Sequence, residues 1–298
     1  MERREFVKKT IISSAGVSAA SALSFAGSCS SPGRESKIGI MWGTIRVEGS
    51  ILEKFQMCKE AGFKGIQIFS HLDRKEVMEA RDKTGMEITG VCDAQHWKLL
   101  LSSPDSSVRE QGRDALKLSI EDAKAYGTDT VLLVPGKVDE SVSYDDCWKR
   151  TIEEISKVVP LAEELNVTIA IENVWNNFIL SPVEAIYYLD QFESQNVKFY
   201  FDCGNILVYG WPEQWINILG SRIDRIHIKE FSNELANTKG KREGFKVKLG
   251  EGDVNWPAVM KSMDNIGYDN WLVLEQRGGD SLEGLTDLVE RTKKIIAG

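Results

Sequence analysis

From residue 38 onward the chain alternates between two hydrophobic rhythms. Short apolar runs rich in Val, Ile and Leu, bounded by turn-forming residues, have the length and composition of strands buried on both faces. They fall at 38–42, 65–69, 86–92, 130–134, 167–172, 197–202, 225–229 and 271–275. Between them apolar positions recur every three or four residues. That spacing predicts helices over 50–61, 73–84, 103–126, 143–165, 212–219, 256–266 and 281–296, with another opening at Ser181-Pro182. Ser50 is placed to cap its helix, and Gly62 and Gly85 to stop theirs. An irregular basic insertion follows the seventh strand and runs to Lys248. Eight strand-helix repeats demand a parallel sheet, and closure at eight predicts a single-domain (β/α)8 (TIM) barrel over residues 37–298. The alternative is an open doubly wound sheet. It would be favoured by a G-x-G-x-x-G after the first strand, where the chain instead has Trp42-Gly43-Thr44-Ile45-Arg46.

Residues 1–28 stand outside this rhythm. Arg3-Arg4 and Lys8-Lys9 precede a weakly apolar stretch over 11–25 rich in Ala and Ser, and Ala26-Gly27-Ser28-Cys29 follows. A charged start, a short apolar middle and small residues before a cleavage point describe a secretory signal, and the paired arginines give its twin-arginine form. A frayed amphipathic helix is the simpler alternative. Cys29 also resembles a lipoprotein box, with Ala26 where a larger apolar residue is usual, so the membrane is a partner only through one acyl chain at Cys29. The expected organisation is an export signal at 1–28, a linker at 29–36 and the barrel at 37–298, which makes the protein periplasmic or a membrane-anchored lipoprotein.

Composition narrows the partners. With 298 residues, 42% of them hydrophobic, the chain can bury a full core. A net charge of −8 with no basic block argues against nucleic acid, whose affinity comes from Lys and Arg neutralising phosphates. No apolar run reaches the roughly 18 residues of a spanning helix. Cys58, Cys92, Cys147 and Cys203 lie far apart with no C-x-x-C spacing, so neither a structural zinc nor a disulfide framework is expected. Twin-arginine export of an already folded chain accommodates these unpaired thiols and lets a cofactor load first.

Polar groups recur at one place in the rhythm. Glu172 ends the fifth strand, Asp202 the sixth, His227 lies in the seventh and Glu275 ends the eighth. Barrel active sites sit at the C-terminal face, so four consecutive strands bring three carboxylates and one imidazole to one patch. Singly, each has an ordinary structural explanation; together they point to a site. Three anionic oxygens and one nitrogen suit one hard or borderline divalent ion, Mn²⁺, Mg²⁺ or Co²⁺ before a thiolate-preferring metal, and Zn²⁺ also fits. His96, after the third strand, Asn205 and Lys229 are candidates to touch substrate, at a sugar hydroxyl or an oxyanion. Trp42, Trp97, Trp175 and Trp256 lie at strand ends or in loops, where flat apolar faces suit sugar rings or simply pack.

The ordered motifs, E-N at 172–173, F-D-x-G-N at 201–205, H-I-K-E at 227–230, G-E-G-D-V-N-W at 250–256 and L-E at 274–275, resemble the xylose isomerase-like barrel family of sugar isomerases and epimerases. The resemblance covers the whole barrel. It implies that Glu172, Asp202, His227 and Glu275 bind one divalent metal and that Glu172 and Glu275 form the acid/base pair. The chain has Asn205 where the ketose 3-epimerase branch has a histidine, and Lys229-Glu230 where that branch has an arginine. With only His71, His96 and His227, it does not match the three-zinc endonuclease branch.

The chemistry follows from the groups. A metal spanning a carbonyl oxygen and the adjacent hydroxyl stabilises an enediolate; one glutamate removes the proton and the other returns one. The expectation is therefore a metal-dependent isomerase or epimerase of a non-phosphorylated sugar or keto-sugar derivative, acting as a monomer or homo-oligomer. Two rivals remain: a lyase, dehydratase or hydrolase acting on a 3-keto-glycoside or keto-inositol, and a non-catalytic sugar-binding lipoprotein.

Overall fold

The computed structural model describes residues 37–298, so the export signal over 1–28, the lipobox at Cys29 and the linker 29–36 lie outside the described residues. Eight strands, β1 Ile38–Met41, β2 Gly65–Phe69, β3 Glu87–Cys92, β4 Thr130–Leu133, β5 Thr168–Glu172, β6 Val197–Asp202, β7 Ile223–Ile228 and β8 Leu272–Leu274, close into one barrel in chain order. β8 pairs back to β1 in parallel, matching Gly39 with Val273. The expected fold class is the one observed.

Strand period 2 explains how the barrel is filled. Ile169, Ile171, Phe199, Phe201, Ile226, Ile228, Leu272 and Leu274 belong to the large cluster beneath the helices. The alternate positions form a small interior cluster of Cys92, Leu132, Ala170 and Tyr200. Two residues on from Ala170 and Tyr200, on the same faces, come Glu172 and Asp202. The sequence therefore aims both carboxylates at the top of the barrel interior.

The helices are α1 Ile51–Ala61, α2 Arg74–Thr84, α3 Ser106–Tyr126, α4 Tyr144–Ser156, α5 Val159–Leu165, α6 Pro182–Asp190, α7 Cys203–Ile206, α8 Pro212–Leu219, α9 Asn233–Lys239, α10 Trp256–Asn265 and α11 Leu282–Ala297. Ser50 and Glu53 cap α1 reciprocally, and Gly62 ends it at φ 107°. The single helix expected over 143–165 is two. Pro160 has no N–H to donate to Ser156 and its ring crowds that carbonyl, so α4 ends at Ser156 and α5 restarts with the proline in its first turn. α3 begins three residues later than expected, because Asp105 rather than Ser103 is its cap. The insertion after β7 is not irregular: it holds α9 and a 3₁₀ turn at Lys241–Lys246. Among the described residues no helix is long and apolar enough to cross a membrane.

Candidate metal centre and active site

The four strand-end groups meet. Glu172, Asp202, His227 and Glu275 each offer one ligand atom, all within 4.8 Å of one another. His227 Nδ1 is the hub, 2.8 Å from Glu172 Oε1, 3.3 Å from Glu275 Oε2 and 3.8 Å from Asp202 Oδ2. Strand register sets this up: Asp202 pairs directly with His227 across β6 and β7, while Glu275 follows the last residue of β8. The Tyr200 ring packs beneath, its centroid 4.4 Å from that of His227.

Neighbouring side chains hold these four in place. Gln67 Oε1 lies 2.9 Å from His227 Nε2 and accepts its proton, which leaves Nδ1 as the nitrogen facing the carboxylates. Asn173 clasps the tips of β5 and β6: its Oδ1 accepts from Asp202 N–H at 2.8 Å and its Nδ2 donates to Asp202 O at 2.9 Å. Asn205 N–H donates to Asp202 Oδ1 at 2.7 Å and its Nδ2 to Asn173 O at 2.9 Å. Asn205 thus borders the cavity but spends its amide on this clasp. Gly204 is required for close approach, since a Cβ there would sit 2.8 Å from Lys229 O. Lys229 Nζ reaches Glu275 Oε2 at 3.1 Å and Asp202 Oδ2 at 3.6 Å.

A cavity of about 450 Å³ opens above this floor, a size suited to a small ligand. Of the aromatic candidates, Trp97 and Trp175 line it. Trp42 and Trp256 lie elsewhere. Trp42 sits in a turn against Phe55 with Lys54 over its ring, and Trp256 is buried with its indole N–H on Glu230. Both are at strand or helix ends in sequence, but the barrel turns them toward its outer layer.

His96 lines the cavity, and its Nδ1 accepts from Val134 N–H at 3.2 Å, which puts its proton on Nε2. Burial pushes its pKa down to about 3, against the pull of Glu275. It is a neutral donor of fixed tautomer.

Sequence reasoning missed the anchor of the insertion. Glu230 is fully buried. Its Oε1 accepts from Phe231 and Val254 N–H, both at 3.1 Å, and its Oε2 from Gly250 N–H at 2.9 Å and Trp256 Nε1–H at 2.7 Å. Gly252 must be glycine, because a Cβ would come within 2.6 Å of Glu230 Oε1. This anchor is the physical content of H-I-K-E and G-E-G-D-V-N-W. Above it Phe245 packs tilted against Trp175 at 4.8 Å and lies under Lys229 Nζ at 4.7 Å, so the insertion forms a wall of the cavity. Gln67 was also missed. A polar residue inside the apolar run G-I-Q-I-F was its only signal.

Electrostatics distinguish the acidic groups. Burial raises Asp202 to about 7, although Lys229 opposes it. Burial likewise raises Glu172 against the hydrogen bond from His227. For Glu275 burial is outweighed by Lys229 and by the His227 hydrogen bond, and its pKa falls. Burial would lower His227, but hydrogen bonds to Glu172 and Glu275 carry it up to about 10. Asp202 Oδ2 is buried and has no hydrogen-bond donor among the described residues. An orphaned carboxylate oxygen, two further carboxylates and an imidazole whose other nitrogen is already bonded fit one divalent ion.

A family model described as a xylose isomerase-like TIM barrel matches residues 55–295. L-ribulose-5-phosphate 3-epimerase UlaE of Escherichia coli O1:K1 is 25% identical over 232 residues, 73% of this chain and 78% of that one. The uncharacterised protein MJ1311 of Methanocaldococcus jannaschii is 25% identical over 72% of each chain. Among solved structures, a D-allulose 3-epimerase from Methylomonas sp. superposes with a TM-score of 0.73 at 16% identity, covering 89% of this chain and 99% of that one. The 3-keto-D-glucoside 4-epimerase YcjR from E. coli gives 0.72 at 17% identity, over 88% and 99%. At these identities the structural likeness is one of fold. With the matched region running from α1 to α11, the chain belongs to the xylose isomerase-like TIM barrel family.

Proposed function

We propose that the protein is a divalent-metal-dependent isomerase or epimerase of a non-phosphorylated sugar or keto-sugar derivative. The observation that carries this is the convergence of Glu172 and Glu275 on His227 Nδ1, at 2.8 and 3.3 Å, on the floor of a sugar-sized cavity. The names of the relatives, which are sugar epimerases, support the same class.

Glu172, Asp202, His227 and Glu275 would hold the metal. Mn²⁺, Mg²⁺ and Co²⁺ match the oxygen-rich donors best, and Zn²⁺ remains compatible. The ion, when bound, would supply positive charge as negative charge develops on the substrate's oxygens. Everything else is done by the chain. Glu172 or Glu275 takes the proton from the carbon next to the carbonyl, and the other carboxyl returns one from the opposite side. Lys229 and the Nε2–H of His96 donate toward the developing oxyanion. Trp175 and Trp97 hold the sugar ring, and the wall built by the insertion keeps water from the reacting carbon. Return to the same carbon is epimerisation, and to its neighbour isomerisation.

The expected result is chelator-sensitive incorporation of solvent deuterium next to the carbonyl of a keto-sugar, with product mass otherwise unchanged, and its loss in Glu275→Gln. Loss of mass through a leaving group would instead make the protein a lyase. Binding without exchange in the metal-loaded wild type would overturn the proposal. We also propose export through residues 1–28, with Cys29 as a lipid anchor. Mass analysis of the mature N-terminus tests both.

A further inference from the structure

The described chain carries eleven arginines, and eight pair with carboxylates: Arg74, Arg81, Arg109, Arg113, Arg150, Arg222, Arg225 and Arg291. Arg242 and Arg277 have neither an ion pair nor a hydrogen bond among the described residues, and both line the cavity above the proposed metal centre. Arg242 comes from the 3₁₀ turn of the insertion, Arg277 from the loop after β8. In a chain of net charge −8, two free guanidiniums at one mouth form a local excess of positive charge. The floor below carries three carboxylates. Those three are already faced by Lys229 and His227 and would hold the metal, so the uncompensated charge of the cavity is the positive charge at its rim.

We propose that the substrate is an acidic sugar of the hexulosonate (keto-uronate) class, its carboxylate held at the rim by Arg242 and Arg277 while its carbonyl end lies on the floor. This rests on the isomerase or epimerase reading above and narrows its substrate. A guanidinium fork matches a carboxylate in shape and charge. On the floor the positive charge of Lys229, His227 and the ion is already matched by Glu172, Asp202 and Glu275, so the unpaired guanidiniums of the rim are where a substrate carboxylate finds a partner. A phosphate fits less well. The adjacent helix terminus, that of α11, commits its first turn to the Ser281 cap and carries Glu283, and Asp280 precedes it, so no backbone cradle is left for a dianion.

The test is a titration of the Mg²⁺-loaded full chain, read by tryptophan fluorescence because Trp97 and Trp175 line the cavity. The ligands are a hexulosonate, the neutral hexulose of the same configuration and that hexulose's terminal phosphate. The hexulosonate should bind at least tenfold more tightly than the neutral sugar and more tightly than the phosphate. In Arg242→Gln/Arg277→Gln that advantage should vanish while neutral-sugar binding and the melting temperature stay unchanged. Equal binding of acid and neutral sugar, tighter binding of the phosphate, or a preference that survives in the variant would overturn the proposal. Solvent-deuterium exchange on the same ligands separates the two claims. Acid preference with no exchange in any sugar removes the enzymatic reading and leaves the subsite; exchange without acid preference does the reverse.

Discussion

Replacing Glu230 with glutamine leaves the shape of a buried side chain intact and changes one atom from acceptor to donor. In the wild type, four N–H groups converge on this carboxylate, two per oxygen, at 2.7 to 3.1 Å. An amide keeps one oxygen and its pair of donors. The NH₂ then faces two N–H groups that have nothing to bond. Each buried donor left unsatisfied costs about 1–3 kcal/mol, and the surviving bonds weaken because the acceptor is no longer charged. Relief from burying a charge offsets part of this, so a loss of about 3 kcal/mol is expected. The assay is urea denaturation of wild type, Glu230→Gln, Trp256→Phe and the double variant. Trp256→Phe removes one donor and costs about 1 kcal/mol. In the double variant one of the conflicting donors is gone, so the two losses should fall short of additive by about 1 kcal/mol. Activity should fall with Glu230→Gln, because the wall bearing Arg242 and Phe245 is tied down through this carboxylate. A Glu230→Gln protein within about 0.5 kcal/mol of wild type, the scatter of an ordinary surface substitution, would refute the reasoning.

Three further outcomes are expected. Gln67→Leu removes the acceptor that holds the His227 proton on Nε2, and the affinity for Mn²⁺, measured by calorimetry, should fall about 10- to 100-fold; an unchanged affinity would show that Gln67 does not orient the imidazole. Burial raises Asp93 from 3.8 to about 6, against the Gln95 N–H bond and His71. Its proton is thus held more tightly folded than unfolded: the stabilisation is full below pH 3.8 and is lost as pH rises through 6. Asp93→Asn should therefore gain on wild type between pH 4 and pH 8, by about 3 kcal/mol at 1.36 kcal/mol per pH unit, and a gap that does not change with pH would contradict this. Cys58, Cys92, Cys147 and Cys203 are all buried, and burial pushes the Cys58 and Cys147 thiols up to about 12, so Ellman's reagent should find none of the four in the native protein and all four in urea.

What the sequence revealed and what it hid divide along a physical line. Strand and helix periodicity is local, so the barrel could be read from the eight apolar runs, and strand-end position alone brought Glu172, Asp202, His227 and Glu275 together. Ser50, Asp73 and Ser181 cap helices where short polar residues precede apolar periodicity. The break at Pro160 was there to be read in the residue itself, but the apolar spacing on both sides ran through it. The destinations of Trp42 and Trp256 were not local facts. Contacts with residues distant in sequence, Phe55 for Trp42 and Glu230 for Trp256, take the two indoles away from the cavity. Gln67 and Glu230 act through partners 160 residues away and 20 to 26 residues away, respectively, and no period relates such positions.

The Glu230 anchor divides the molecule's labour in a way that bears on its history. Both ends of the insertion are pinned at one point: Phe231 on the way out, Gly250 and Val254 on the way back, with Ser232 N–H closing onto Gly244 O at 2.9 Å. Residues 233–243 hang from that closure and, among the described residues, make no hydrogen bond or ion pair with Glu172, Asp202, His227 or Glu275. Such a segment is a cassette. Evolution, or an engineer, can exchange it for another of different length and charge, and a new substrate preference would arrive without renegotiating the chemistry underneath.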